Sequence, residues 1–182
     1  APASTVRGTL ASTDAGLSLG TLTLTGNATI QTGGGTLSLG PTDGGASLVL
    51  DTTGGAGTGA ITLGGAIGGA TPLASLTVNA KGAVQFPSVT TTGTLDVAAG
   101  GAVTDAGALT IGGTATLAVP GNAITLDSTS NDFQGDVTIT DGATDATAVT
   151  LVDQNAVQFG GASATQTGLT VSAGGAITDA VG

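Results

Sequence analysis

The chain has 182 residues and a formal net charge of −10 at neutral pH, with 12 acidic residues, all of them Asp, against the two cations Arg7 and Lys81. It contains 34 Gly and 3 Phe but no Tyr, Trp, Met, Cys, His or Glu, and 40% of it is hydrophobic. This excludes a disordered polymer, a disulfide scaffold, a thiolate site and a nucleic-acid surface, since displacing counterions from phosphates needs clustered Lys and Arg.

With Glu and Met absent, Lys present once and Gly, Thr, Val and Asp abundant, the composition predicts strands and turns with little or no helix. The start "APASTVRG" has neither the basic start nor the apolar run of a signal peptide, and no apolar run approaches the roughly 20 residues of a membrane helix. From there short phrases recur in which two apolar residues flank one that is usually polar. In chain order they are Leu22/Leu24, Leu37/Leu39, Leu48/Leu50, Ile61/Leu63, Leu76/Val78, Val84/Phe86 and Leu95/Val97. Leu109/Ile111, Leu117/Val119, Ile124/Leu126, Val137/Ile139, Val149/Leu151, Val157/Phe159 and Leu169/Val171 follow. Period two marks each as a short strand with one buried face. The pairs recur every 7 to 15 residues, and Gly, Asp, Asn and Ser fill the gaps, as tight turns require.

A longer period lies over this rhythm. Gly20 to Ile30 aligns with Gly93 to Val103 (93 − 20 = 73), and Leu50 to Leu63 with Leu126 to Ile139 (126 − 50 = 76). "AVQF" at Ala83 recurs at Ala156 (156 − 83 = 73), and "AGGAVTDAG" at Ala99 recurs as "AGGAITDAVG" at Ala173 (173 − 99 = 74). The units are 20–92, 93–167 and a partial copy at 168–182, within one domain spanning 1–182. In that reading Val103 and Ile177 are core positions, and Asp105 and Asp179 shape corners. A unit that copies itself along the chain stacks on its neighbour, and Leu, Ile and Val with small Ala and Gly between them suit narrow coils better than a two-sheet sandwich. The expected fold is therefore all-β, a parallel β-helix (β-solenoid) of about nine coils of roughly 20 residues, rising ~4.8 Å per coil.

"GTLDVAAGGAVTDAGALTIGG", "AITLDSTSNDFQGDVTIT" and "GLTVSAGGAITDA" resemble the degenerate repeats of filamentous-haemagglutinin-type exoproteins and autotransporter passenger domains. The resemblance covers about Leu17 to the end, and it is one of repeat style, so no functional residue is carried over. It implies a right-handed parallel β-helix on a bacterial surface. The secretion-related domain that such proteins carry at the N-terminus is not visible in residues 1–16, as expected of an internal segment.

Candidate chemistry is sparse. Without His or Cys and with one Lys, no nucleophilic triad can form. Paired carboxylates are the remaining enzymatic option, as in polysaccharide-cleaving β-helices, and Asp127, Asp132 and Asp136 form the densest cluster, with Asp141, Asp145 and Asp153 downstream. The simpler reading makes these Asp turn residues. "GGAGTGAIT" at Gly54 to Thr62 matches the calcium β-roll pattern except that Gly59 replaces its Asp, so it reads as a glycine turn. "DGATD" at Asp141 to Asp145 lacks the ligand alternation of a calcium loop, and "NAT" at Asn27 is a chance glycosylation triplet. No catalytic, cofactor-binding or metal residue is assigned.

Thr23, Thr62, Thr77, Thr110, Thr125, Thr138, Thr150 and Thr170, with Ser38, occupy the outward position between two inward apolar residues. β-branched polar residues favour exposed strand faces. An ice-binding ladder would need them on one flat side, whereas the uneven strand spacing predicts two or three. The expected role is non-enzymatic: a structural or adhesive shaft of a bacterial surface or secreted fibre. Its partners would be further copies, head to tail or lateral, or a host-surface or matrix ligand, with no nucleic acid, membrane insertion or cofactor. The alternatives are a polysaccharide-binding or polysaccharide-cleaving β-helix and an ice-binding solenoid. Uncapped coil ends and the break in the last repeat at Gly182 predict either a longer parent chain or copies that complete one another.

Overall fold

Alternating apolar and polar residues give each short strand one face to bury, and stacking successive strands of the same pattern buries those faces in a single column. The computed structural model describes residues 3–140, 146–161 and 167–180. Its strands stack in parallel into a solenoid of about eight turns of about 20 residues, close to the nine expected, with no helix among the described residues.

The first turn holds β1 (Ser4–Ala11) and β2 (Leu17–Leu19), the second β3 (Leu22–Gln31) and β4 (Leu37–Leu39), and the third β5 (Thr42–Asp43), β6 (Ser47–Asp51) and β7 (Ile61–Leu63). The fourth holds β8 (Ser75–Ala80) and β9 (Val84–Phe86), and the fifth β10 (Val89–Thr91), β11 (Leu95–Ala99) and β12 (Val103–Asp105). β13 (Leu109–Ile111), β14 (Ala115–Ala118) and β15 (Ile124–Leu126) form the sixth, and β16 (Asp132–Phe133), β17 (Val137–Thr140) and β18 (Val149–Asp153) the seventh. β19 (Val157–Phe159) and β20 (Leu169–Ala173) form the eighth, and β21 (Ile177–Asp179) begins the next.

These strands build three sides. Side one is the long sheet β1-β3-β6-β8-β11-β14-β17, which continues through β19 to β21. Side two is β2-β4-β7 followed by a separate sheet, β9-β12-β15-β18-β20, and side three is β10-β13-β16, reached from β5 through single bridges at Ile67. All the pairings are parallel.

Register aligns like with like. Leu50, Val78, Val97, Leu117 and Ile139 form one inward column of side one, and Val84, Val103, Ile124 and Val149 form one of side two. All nine are buried. Burying each such side chain contributes about 1.5–3 kcal/mol relative to leaving it exposed, so one column accumulates stabilisation along the rod axis without distant partners.

Four features of the coil have local causes. β1 lies in residues with no apolar pair, because its pairing with β3 carries it: Leu10 sits on Ile30 although Thr9 and Ala11 flank it with little apolar character. Thr32, Thr42, Thr52 and Thr91, outside the set of outward Thr, point inward and are buried. Each hydroxyl donates to a nearby carbonyl, of Gly35, Gly40, Gly59 and Gly93 respectively, at 2.6–3.1 Å, which offsets the cost of burying it. Val103 is buried as expected, but Ile177 is 53% exposed because no described coil covers β21. Finally, the long repeat is not a whole number of turns. Val103 reaches Leu169 three turns on, and Ile177 lies a further side along, paired with Val157 of β19. Equivalent residues of successive long repeats therefore occupy different sides: Leu22 lies at the side-three corner, whereas Leu95 lies on side one.

Candidate interaction surfaces

Each corner of a β-solenoid exposes backbone N–H groups that the sheet ladders do not reach, and short polar side chains satisfy them. Asp105, the corner residue of "AGGAVTDAG", does this for the coil that follows. Its Oδ1 accepts from the Asp127 N–H at 3.0 Å, and its Oδ2 accepts from the Ser128 N–H at 3.2 Å and from Asn131 Nδ2 at 2.7 Å. Asn131 is fully buried, and its Oδ1 in turn accepts from the Leu109 N–H at 2.9 Å. One turn on, the buried Asp153 accepts from the Phe133 N–H at 2.7 Å and the Asn155 N–H at 2.6 Å.

The cluster singled out in the sequence does not converge. Asp127 is exposed at the end of side two, Asp132 belongs to β16 on side three, and Asp136 precedes β17 on side one. Asp132 accepts from Gln134 Nε2 and Asn155 Nδ2, both at 3.1 Å, and the Asp136 carbonyl accepts from the Ala115 N–H at 2.9 Å. Asp14 and Asp43 likewise bond corners of later coils, accepting from the Ala56, Ala70 and Thr71 N–H groups. Asp141 and Asp145 lie outside the described residues. Among the described residues no three His, Cys, Asp or Glu side chains gather around a common point.

Gly54 to Thr62 forms the glycine turn expected of it, ending in β7. Close stacking on this turn needs a glycine in the coil before it: a Cβ at Gly34 would lie 2.5 Å from the Gly57 nitrogen, with further backbone at 2.8 and 2.9 Å. Lys81 holds this turn from the next coil, donating from Nζ to the Gly57 carbonyl at 3.4 Å, while its own N–H donates to Thr52 Oγ1 at 3.3 Å. Asn27 is used locally, its Oδ1 accepting from the Ser47 N–H at 3.1 Å.

The outward Thr residues lie on all three sides, as the uneven spacing predicted. Within a side they stack: Thr104, Thr125, Thr150 and Thr170 form an unbroken ladder on side two, preceded in the earlier sheet by Ser18, Ser38 and Thr62. Side one carries Thr9 and Thr29, then Val49, Thr77, Asp96, Thr116 and Thr138, and side three carries Thr90 and Thr110. The surface recesses are small. One of about 260 Å³ is lined by Ser12, Thr13, Gln31, Gly33, Asp51 and Gly54, and one of about 310 Å³ by Thr53, Ala80, Ala98, Ala99, Gly100, Ala118 and Pro120. Neither brings two carboxylates together.

Stacked corners and side ladders of this kind belong to a repeat protein. A family model described as repeats of unknown function (DUF5649) matches residues 73–140. The matched stretch runs from the buried Leu73 to Thr140 at the end of β17, where three sides follow one another in regular order. No curated protein and no solved structure matches the chain.

The bond from Asn131 to Asp105 and the burial of Asn131 and Asp153 are what the sequence reading missed. A signal was present: Asn131 lies 22 residues after the inward Leu109, and Asp153 lies 22 after Asn131, so the two continue an apolar column with polar residues.

Proposed function

We propose that this chain is a segment of a non-enzymatic shaft, a structural or adhesive rod of a bacterial surface or secreted fibre that displays its outer faces to a host-surface or matrix ligand or to further copies. One observation carries the reading: the polar side chains with the richest chemistry, Asp105, Asn131, Asp132 and Asp153, bond the backbone or corner side chains of their own or adjacent coils. What is left for partners is an extended, repetitive face of Thr, Ser, Ala and Asn. The resemblance of repeat style supports an extracellular location, and the exposed Leu169 and Ile177 offer an apolar surface to a further copy.

The test is binding of the purified chain to immobilised matrix and cell-surface preparations, with electron microscopy for fibres and a panel of polysaccharides for turnover. Adherence or fibre formation without turnover supports the proposal. Turnover lost on replacing Asp127, Asp132 and Asp136 with Asn would overturn it in favour of a glycan-cleaving β-helix. The four-residue Thr ladder of side two gives the ice-binding alternative one specific observation in its favour, and measurable thermal hysteresis, lost in Thr125→Val, would promote it.

A further inference from the structure

Side two is interrupted at one boundary, between the third and fourth turns, and side three is narrowed there to a single bridge. On side two, β7 and β9 are edge strands of separate sheets. β7 is in register with β4 and β9 with β12, yet no backbone hydrogen bond joins β7 to β9. The N–H groups of Ile61, Leu63 and Gln85, which alternate away from those ladders, have no strand partner across the boundary. On side three the same boundary is crossed by one bridge, Thr42 to Ile67, in which the Thr42 N–H donates to the Ala66 carbonyl at 3.0 Å and the Gly68 N–H to the Thr42 carbonyl at 2.6 Å; Ile67 bridges onward to Val89 of the fifth turn. Only side one keeps a full ladder there, with Ser47–Asp51 registered on Ser75–Asn79.

The connecting segment has hinge-like chemistry. It contains Gly64, Gly65, Gly68 and Gly69, and Gly68 sits at φ 73°, a left-handed conformation that side chains disfavour. It is pinned around Ile67, which is buried and whose N–H donates to the Ser88 carbonyl at 2.9 Å, and at Asp43, which accepts from the Ala70 and Thr71 N–H groups at 2.7 and 3.1 Å. The turn is also a long one, with Leu48 stacking on Leu76, 28 residues on, whereas Leu95 stacks on Ala115, 20 on. The family match begins at residue 73, just past this boundary.

We infer that the boundary between the third and fourth turns is a built-in hinge. Residues before Gly64 and residues from Leu73 onward form separate cooperative blocks, side one is the hinge line, side two opens first, and Ile67 is the latch. In a stack held by nearest-neighbour contacts, an interface that lacks one of its sheet ladders opens first along that side. The inference does not depend on what the outer faces bind.

The experiment is residue-resolved hydrogen exchange and urea unfolding of the whole chain in three forms: unchanged, Ile67→Ala, and Leu117→Ala as a control in the middle of the second block. With the hinge, Ile67→Ala raises exchange in β7 and β9 at least about tenfold while Thr104 and Thr125 keep their protection, and unfolding splits into two transitions. Leu117→Ala instead raises exchange within the second block. A disulfide in Thr62→Cys/Gln85→Cys, placed across the open seam, returns the Ile67→Ala chain to one transition. A uniform rise across both blocks in Ile67→Ala, or one unsplit transition in that variant without the disulfide, would overturn the inference.

Discussion

Asn131→Ala tests the corner network most directly, because Asn131 is 0% exposed and both ends of its amide are used. The substitution leaves the buried Leu109 N–H without the acceptor it has at 2.9 Å, a loss of about 1–3 kcal/mol. It also removes the donor that Asp105 holds at 2.7 Å, although Asp105 keeps the Asp127 and Ser128 N–H groups, so this second loss falls at the lower end for a charged hydrogen bond, about 1.5 kcal/mol. Together they amount to about 3 kcal/mol, or a fall in melting temperature of about 6–12 °C for a chain of this length. Asn131→Asp retains the acceptor for Leu109 but sets a second carboxylate against that of Asp105, so at neutral pH it is expected to be no more stable than the alanine variant. Urea unfolding, with a check that the slope is unchanged, measures both, and the exposed Ser130→Ala serves as a control expected to stay within about 0.5 kcal/mol. If Asn131→Ala also stays within about 0.5 kcal/mol of the unchanged chain, the network does not support the corner and the reasoning fails.

Leu76→Ala, at a fully buried position of side one, is expected to cost about 3–5 kcal/mol in the same assay, whereas Leu169→Ala, 42% exposed, costs less than about 1 kcal/mol. Gly34→Ala drives a methyl group into the backbone of the Gly55–Gly57 turn and is expected to cost about 1–3 kcal/mol, while Gly20→Ala, with no atom within 4 Å of the new Cβ, is neutral or slightly stabilising; thermal melts of the pair separate the two. Thr125→Val changes stability by no more than about 0.5 kcal/mol, since the outward Thr is chosen for strand preference and solubility, and calorimetry checks it. Adding calcium or a chelator leaves the melting temperature unchanged; a rise with calcium would reveal a metal site.

The apolar pairs carried most of the fold in themselves. Leu48/Leu50, Leu76/Val78, Val84/Phe86, Leu95/Val97 and Ile124/Leu126 alternate so strictly that each has one possible buried face, and the repetition of the pattern leaves stacking as the way to cover it. The corner role of Asp105 was also legible, because a short carboxylate after a strand and before glycine has backbone N–H groups within reach. Polarity misled the reading where a polar side chain could satisfy itself locally. Thr32 and Thr52 look like surface residues until their hydroxyls are seen to close on Gly35 and Gly59 across three and seven residues. Asn131 and Asp153 look like turn residues until the coil period carries them into the column of Leu109.

Local alternation thus determined that strands form, which face each buries, and that they stack; these follow from the period-two geometry of an extended chain and need no knowledge of neighbours. The tertiary structure alone decided which side each strand joins, because that depends on the summed lengths of the corners, and corners here vary from the tight "AAGGAV" to the long glycine turn after Leu50. A few residues more or less in a corner leave every apolar pair intact and yet shift the register of all that follows. For that reason two near-identical phrases, at Ala99 and Ala173, lie at different corners, one ending in a buried Val103 and the other in an exposed Ile177.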